Sequence, residues 1–151
     1  MKLQKATLCG LYAVTELAAH VDRQISAAEI AAKYDISLNH LAKVLRTLVR
    51  ANVIESVRGV GGGYRFCGNA KRVTLYDLVM LFEEIGPSAQ DAPPTDFAEG
   101  RALGKVLREI DEIALASLRA TSIAALVKVI QKETAADPSA AKASHKLGAN
   151  A

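Results

Sequence analysis

Four polar side chains recur on one side of a short segment: Asn39, Lys43, Arg46 and Arg50. On a helical wheel with Leu41 at zero, steps of ~100° place them at roughly 160°, 200°, 140° and 180°. Leu38, Val44, Leu45 and Leu48 fall within about 60° of Leu41, so the polar set lies opposite an apolar stripe. It contains no acidic residue. Such a face suits a polyanion. An asparagine amide both donates to and accepts from an adenine edge, and Lys or Arg can address guanine. Cations further along a helix meet phosphates, which position a protein without reading sequence. Asn39 is thus a candidate for adenine, Lys43 or Arg46 for guanine, and Arg50 for phosphate. A basic exposed face is equally what an ordinary solvated surface looks like, so a second element has to decide.

That element follows at once. Arg58 and Arg65 flank the run Gly59-Val60-Gly61-Gly62-Gly63. If the run is a hairpin loop, both guanidiniums are expected at one tip, where a narrow minor groove attracts them. Glycines such as Gly61 and Gly62 allow positive φ and close backbone approach to phosphate. The plain alternative is a mobile surface loop. A nucleotide-phosphate loop is disfavoured, because it needs a helix N-terminus and usually Lys-Ser/Thr after the glycines. Here Tyr64 begins a strand.

Other reactive residues carry less. Cys67 has Arg65, Lys71 and Arg72 close in sequence, and cations favour thiolate, so it is the better redox candidate. Cys9 sits within an apolar helix and reads first as a small buried hydrophobe, with a redox role second. The two cysteines lie too far apart in sequence for a metal-binding pattern or a disulfide framework. His20, His40 and His145 share no ligand spacing. No nucleophile–base pair or paired carboxylates appear, so no enzyme is expected.

The elements that must position these residues can be read from caps and periodicity. A first helix runs from near Gln4 to about His20, with Leu8, Leu11, Tyr12, Val14, Thr15 and Leu17 at helical spacing. Ser26 with Glu29 forms a capping box for a second helix. Ser37 caps a third, through about Ala51, which carries the basic face. Two short capped helices joined by a few residues make a helix-turn-helix. Val53 to Arg58 and Tyr64 to Phe66 then read as a β-hairpin, a wing. Thr74 and Asp77 box a fourth helix to about Ile85. Gly86 to Pro94 holds three prolines and reads as a linker. Asp96 with Glu99 is expected to cap a long helix to about Ala120, and Thr121 or Ser122 to start a short final one. The long helix bears the stripe Leu103, Val106, Leu107, Ile110, Ile113, Ala114 and Leu118. Packing on its own domain is one reading; pairing with a second subunit is favoured, because helix-turn-helix dimers need reading heads about one DNA turn (~34 Å) apart.

The expected fold is therefore mainly α with a small β-hairpin wing: a winged helix-turn-helix domain over 1–85, a linker over 86–95, and a dimerisation helix with a final short helix over 96–133. The tail, 134–151, lacks periodicity and large apolar residues and is expected to be disordered. Charge supports this division. The chain of 151 residues has a net charge of +3, with +6 over residues 1–76 and −3 over residues 77–151. A basic front joined to a mildly acidic back suggests a polyanion-facing module attached to something else. The longest apolar runs, 78–82 and 123–127, are five residues, against the ~20 a membrane helix needs. The N-terminus carries no secretory pattern, so a cytoplasmic protein is expected.

The chain resembles the IscR/NsrR/CymR-type family of bacterial winged helix-turn-helix transcriptional regulators. The resemblance rests on GLYAVTELA (10–18), ISAAEIAAKYDISLNHLAKVLRTLVRANVIESVRGVGGGYRF (25–66) and VTLYDLVMLFEE (73–84). It implies a homodimer that binds a partly palindromic operator in double-stranded DNA, usually as a repressor. It also adds Ser37 and His40 to the DNA-contacting candidates, giving Ser37, Asn39, His40, Lys43, Arg46, Arg50, Arg58, Gly61, Gly62 and Arg65. One departure is sharp. Cluster-binding relatives carry three cysteines before the dimerisation helix, whereas residues 86–107 here contain no Cys and no His. Thiolates hold iron–sulfur clusters, so no iron–sulfur cluster or other cofactor is expected, and sensing falls to a thiol, a small ligand or a partner protein. A second function remains open: the same fold acting as an adaptor that docks on a metabolic enzyme and binds DNA only weakly.

Overall fold

The computed structural model describes residues 2–84 and 92–137. Its elements follow the order α1 (Lys5–Ala19), α2 (Ala27–Tyr34), α3 (Leu38–Arg50), β1 (Ile54–Val57), β2 (Gly63–Phe66), α4 (Leu75–Val79), α5 (Ala98–Ala120) and α6 (Ile123–Ala136). The first three helices build the core. Ala13, Val14 and Leu17 of α1, Ile30 of α2, and Leu41, Leu45 and Leu48 of α3 are all fully buried, and the three helices pack on one another. The capping box at Ser26 forms in full: the hydroxyl accepts from the Glu29 amide, and the Glu29 carboxylate accepts from the Ser26 amide. Asp35 ends α2 in the left-handed conformation (φ 51°), which a short polar residue tolerates. Ser37 then caps α3 through the His40 amide.

β1 and β2 pair antiparallel with Ile54 opposite Phe66, Glu55 opposite Arg65, Ser56 opposite Tyr64 and Val57 opposite Gly63. Ile25, just before α2, adds a third short edge by exchanging both backbone hydrogen bonds with Tyr64 (3.0 and 2.8 Å). The wing is thereby tied to the entry of the helix-turn-helix. Gly63 permits this approach: a Cβ there would lie 2.6 Å from the Ile25 carbonyl oxygen.

Several boundaries differ from expectation. Leu8 and Tyr12 of α1 are exposed, not buried with the rest of their spacing. α4 has its Thr74–Asp77 capping box but ends at Val79 and not near Ile85; beyond it the amides of Leu81, Phe82 and Glu83 donate back to the Leu78 and Val79 carbonyls. Glu83, just beyond, accepts hydrogen bonds from the Gln4 amide and the Thr7 hydroxyl, so long-range capping of α1 takes over from helix continuation. α5 is capped by Phe97 with no side-chain bond, not by Asp96. Gly100 explains its irregular entry, since a Cβ there would collide with the Pro94 carbonyl. α6 continues to Ala136, three residues into the segment expected to be disordered. The remainder of that segment, and most of the 86–95 linker, lie outside the described residues.

The two last helices behave differently. α5 is covered only near its ends, with Gly100, Gly104 and Leu118 its buried residues. α6 folds back on α1, with Ile123 fully buried. Backbone bonds from Leu75 to Thr121, Ile123 to Val73 and Ala124 to Ala70 fasten this junction. Arg119 stacks over the Tyr76 ring at 4.2 Å.

Candidate nucleic-acid interface

The face of α3 opposite its buried stripe is presented to solvent. Asn39, Lys43, Arg46 and Arg50 are all exposed, and none has an ion-pair partner among the described residues. The reason is periodicity: the stripe Leu41, Val44, Leu45 and Leu48 is driven inward, which leaves the opposite side facing water. Ser37 is exposed; its oxygen accepts from the His40 amide at 3.5 Å, and its O–H remains available to donate. His40 is half-buried, with Nε2 shut off from solvent and unpartnered among the described residues.

Leu38 departs from expectation. Its spacing assigns it to the buried stripe, yet it is 51% exposed. It is the first helical residue, and burial of the stripe begins one turn later, at Leu41. An apolar side chain therefore stands beside Asn39 at the end of the helix best placed to read bases, where contact with a thymine methyl is chemically suited. Position immediately after the cap was the sequence signal that could have identified it.

In the wing, the two arginines separate. Arg58 opens the loop and is exposed, without an ion-pair partner among the described residues. Arg65 is not at the tip. It lies opposite Glu55 in the register, whose carboxylate accepts from Nε at 2.9 Å and from the terminal nitrogen at 2.6 Å. Sequence proximity to the glycines suggested a shared tip; antiparallel pairing instead sets Arg65 two register positions behind the closing Val57–Gly63 pair. The loop itself needs its glycines. Gly59 and Gly61 adopt φ of 108° and 73°, and the Gly62 amide donates to the Gly59 carbonyl at 3.0 Å. A Cβ on Gly62 would lie 2.5 Å from the Val57 carbonyl oxygen. Val60, at the summit, is fully exposed, a second apolar side chain that spacing did not identify.

The thiols are less activated than their sequence neighbours suggested. Partial desolvation first, and the Glu55 carboxylate second, push the Cys67 thiol up. Arg65 acts against this but is engaged by Glu55. The Cys67 sulfur also donates to the Asn52 carbonyl (3.4 Å). Burial likewise raises Cys9, which is 2% exposed. Neither site favours thiolate.

The α5 stripe is open. Leu103, Val106, Leu107, Ile110 and Ile113 are between 40% and 67% exposed, and Ala114 is half-buried. Leu118 departs from the set: it is 8% exposed, covered within its own chain where the end of α5 packs toward α4.

Comparison with known proteins gives a consistent result. The Rrf2 family profile, described as an iron-dependent transcriptional regulator, matches residues 3–129. A protein from Rhodopseudomonas palustris described as an HTH-type transcriptional regulator, BadM, is 64% identical over 148 residues, covering 96% of this chain and 95% of its own. The structure of CymR, the global cysteine regulator of B. subtilis, superposes with a TM-score of 0.75 at 23% identity, covering 85% of this chain and 98% of that one. T. potens IscR gives a TM-score of 0.67 at 23% identity, over 88% and 90% of the two chains. These two likenesses establish the winged-helix fold.

Proposed function

The chain belongs to the Rrf2 family of transcriptional regulators, and from that premise we propose that it is a homodimeric repressor that reads a partly palindromic operator with α3 and its wing. One observation carries this reading: α3 turns an acid-free face of Asn39, Lys43, Arg46 and Arg50 to solvent, while the adjoining wing offers an exposed Arg58 with no ion-pair partner among the described residues. In the proposed complex, Leu38, Asn39, Lys43 and Arg46 meet base edges, Ser37, His40 and Arg50 meet the backbone, and Arg58 enters the minor groove. The amides of Gly61 and Gly62 can approach phosphate where no side chain intervenes. Arg65 supports the wing through Glu55 in the free protein.

The exposed stripe of α5 supports dimerisation. A helix of 23 residues is about 34 Å long, comparable to the ~34 Å between successive half-sites. A row of five large apolar side chains facing water is what an interface leaves when its partner is removed. Leu118 takes no part.

The family description names iron, and the donor set of this chain does not fit a cluster. Its two cysteines are divided between the core of α1 and the end of the wing, and 86–107 supplies no thiol or imidazole. Among the described residues no three His, Cys, Asp or Glu side chains converge. We therefore place sensing outside iron–sulfur chemistry. The raised thiols weigh against a thiolate switch and leave a small ligand or a partner protein. No described helix is long and apolar enough to cross a membrane.

Selection of bound duplexes from random DNA tests the reading. Enrichment of a sequence with two related half-sites is expected; recovery of unenriched DNA would overturn it and favour the adaptor alternative.

A further inference from the structure

One cleft lies away from the DNA-facing surface, between the last turns of α1 and α2 and the face of α6. It encloses about 470 Å³, within the size range of small-molecule sites. Its polar floor is Glu16, His20, Lys33 and Tyr34, and α6 lines the other side with apolar Val127 and Ile130 beside polar Gln131 and Thr134.

The chemistry of the floor is uneven. Glu16 is 8% exposed. Its Oε2 accepts from Lys33 Nζ at 2.6 Å and from the Tyr34 hydroxyl at 2.8 Å. Its Oε1 faces His20 Nδ1 at 3.6 Å, and that nitrogen also bonds the Glu16 carbonyl at 2.9 Å. Oε2 is spent, while Oε1 accepts no hydrogen bond among the described residues. Lys33 has three N–H donors and uses one on Glu16. The unspent cationic donors are thus those of Lys33, beside the apolar side chains of α6.

Resting on the regulator reading above, we propose that this cleft is the effector site, and that it takes a small monocarboxylate with an apolar body. The carboxylate pairs with Lys33, and the body lies against Val127 and Ile130. An occupant bridges α6 to the last turn of α2. Because α2 packs directly on α3, occupancy is coupled to the set of the reading helix.

The test uses the full chain with hexanoate as probe, and hexanamide and hexylamine as matched neutral and cationic controls, all at millimolar concentration. Hexanoate is expected to raise Tm by a few degrees and to change affinity for a selected duplex roughly fivefold or more. The controls are expected to do neither. Ile130→Trp, at an accessible wall position, fills the cleft and should abolish both responses while leaving probe-free DNA binding unchanged. Lys33→Met should remove the preference for the acid over the amide. No Tm response to hexanoate, equal responses to all three probes, or a response retained in Ile130→Trp would overturn the proposal. Loss of duplex binding in the absence of any probe would instead refute the regulator reading, and the Tm arm would still decide the cleft.

Discussion

At the residue scale, two side chains are proposed to divide the labour of binding. Arg58 has no partner to give up among the described residues, and its charge would add affinity to any duplex, with a further gain where the minor groove is narrow. Arg58→Ala should weaken both selected and random duplexes and flatten the slope of log K against log salt by about one. Asn39 carries an amide suited to one base, so Asn39→Ala should cost ~1–3 kcal/mol on the selected duplex and little on random DNA. Fluorescence anisotropy on both duplexes checks the pair, and equal losses for both variants would contradict the division. Glu16 gives a stability prediction. Its burial alone would raise its carboxyl, but hydrogen bonds from Lys33 and Tyr34, and the charges of Lys33 and His20, outweigh burial and hold it below the usual carboxylate range. A carboxyl lower in the folded than in the unfolded state contributes stability above its unfolded value, and that contribution is lost as pH falls through its folded value. Glu16→Gln should therefore be less stable at neutral pH, by ~1–3 kcal/mol for a charged hydrogen-bonded partner lost. The gap to wild type should close on acidification, and a gap independent of pH in denaturant titrations would show that the ion pair is not its source.

At the scale of elements, the wing depends on backbone that side chains cannot share. Gly62→Ala places a Cβ 2.5 Å from the Val57 carbonyl oxygen; the turn must open, and DNA affinity should fall by an order of magnitude or more, about 1.4 kcal/mol or above. The helical circular dichroism should be unchanged. Glu55→Gln is the converse test, because it releases Arg65 and removes a negative charge from the hairpin, so affinity for random duplex should rise. The exposed pair itself is worth only ~0–1 kcal/mol, and Tm should barely move. These elements were unequally legible in the sequence. The Ser26–Glu29 box and the stripe of α3 announced the helix-turn-helix because cap and periodicity are local signals. The glycine run announced a turn for the same reason. Arg65 was misplaced because the tip depends on strand register, which its neighbours do not encode. Leu38 was misplaced because a stripe does not say where cover begins. The end of α4 was hidden in a contact from Glu83 to Gln4 and Thr7, which joins opposite ends of the domain. Asp96 had the right residue type and spacing for a cap, but the close passage of Pro94 over Gly100 set the entry instead.

At the scale of the whole molecule, charge and apolar surface are partitioned. The basic excess gathers in residues 1–76, on the half that carries α3 and the wing, and the open apolar row lies on α5 in the acidic half. α6 then returns to α1, so it is not a separate unit but packs on the first helix of the helix-turn-helix domain and lines the cleft beside α2. That return was not legible, since an amphipathic final helix does not specify its partner. Ile110→Glu puts a charge in the middle of the α5 row, where the side chain is 55% exposed in the single subunit. The variant should fold, sediment as a monomer where wild type is expected to sediment as a dimer, and lose affinity for two half-sites far more than for one. The most direct measurement of the central claim is binding of wild-type protein to a duplex selected from random DNA, compared with the same duplex lacking one half-site. A steep fall in affinity with salt, tight binding to the complete site, and a drop of tenfold or more (about 1.4 kcal/mol) on deleting one half are predicted. Weak binding, indifferent to sequence and to the second half-site, would contradict the account.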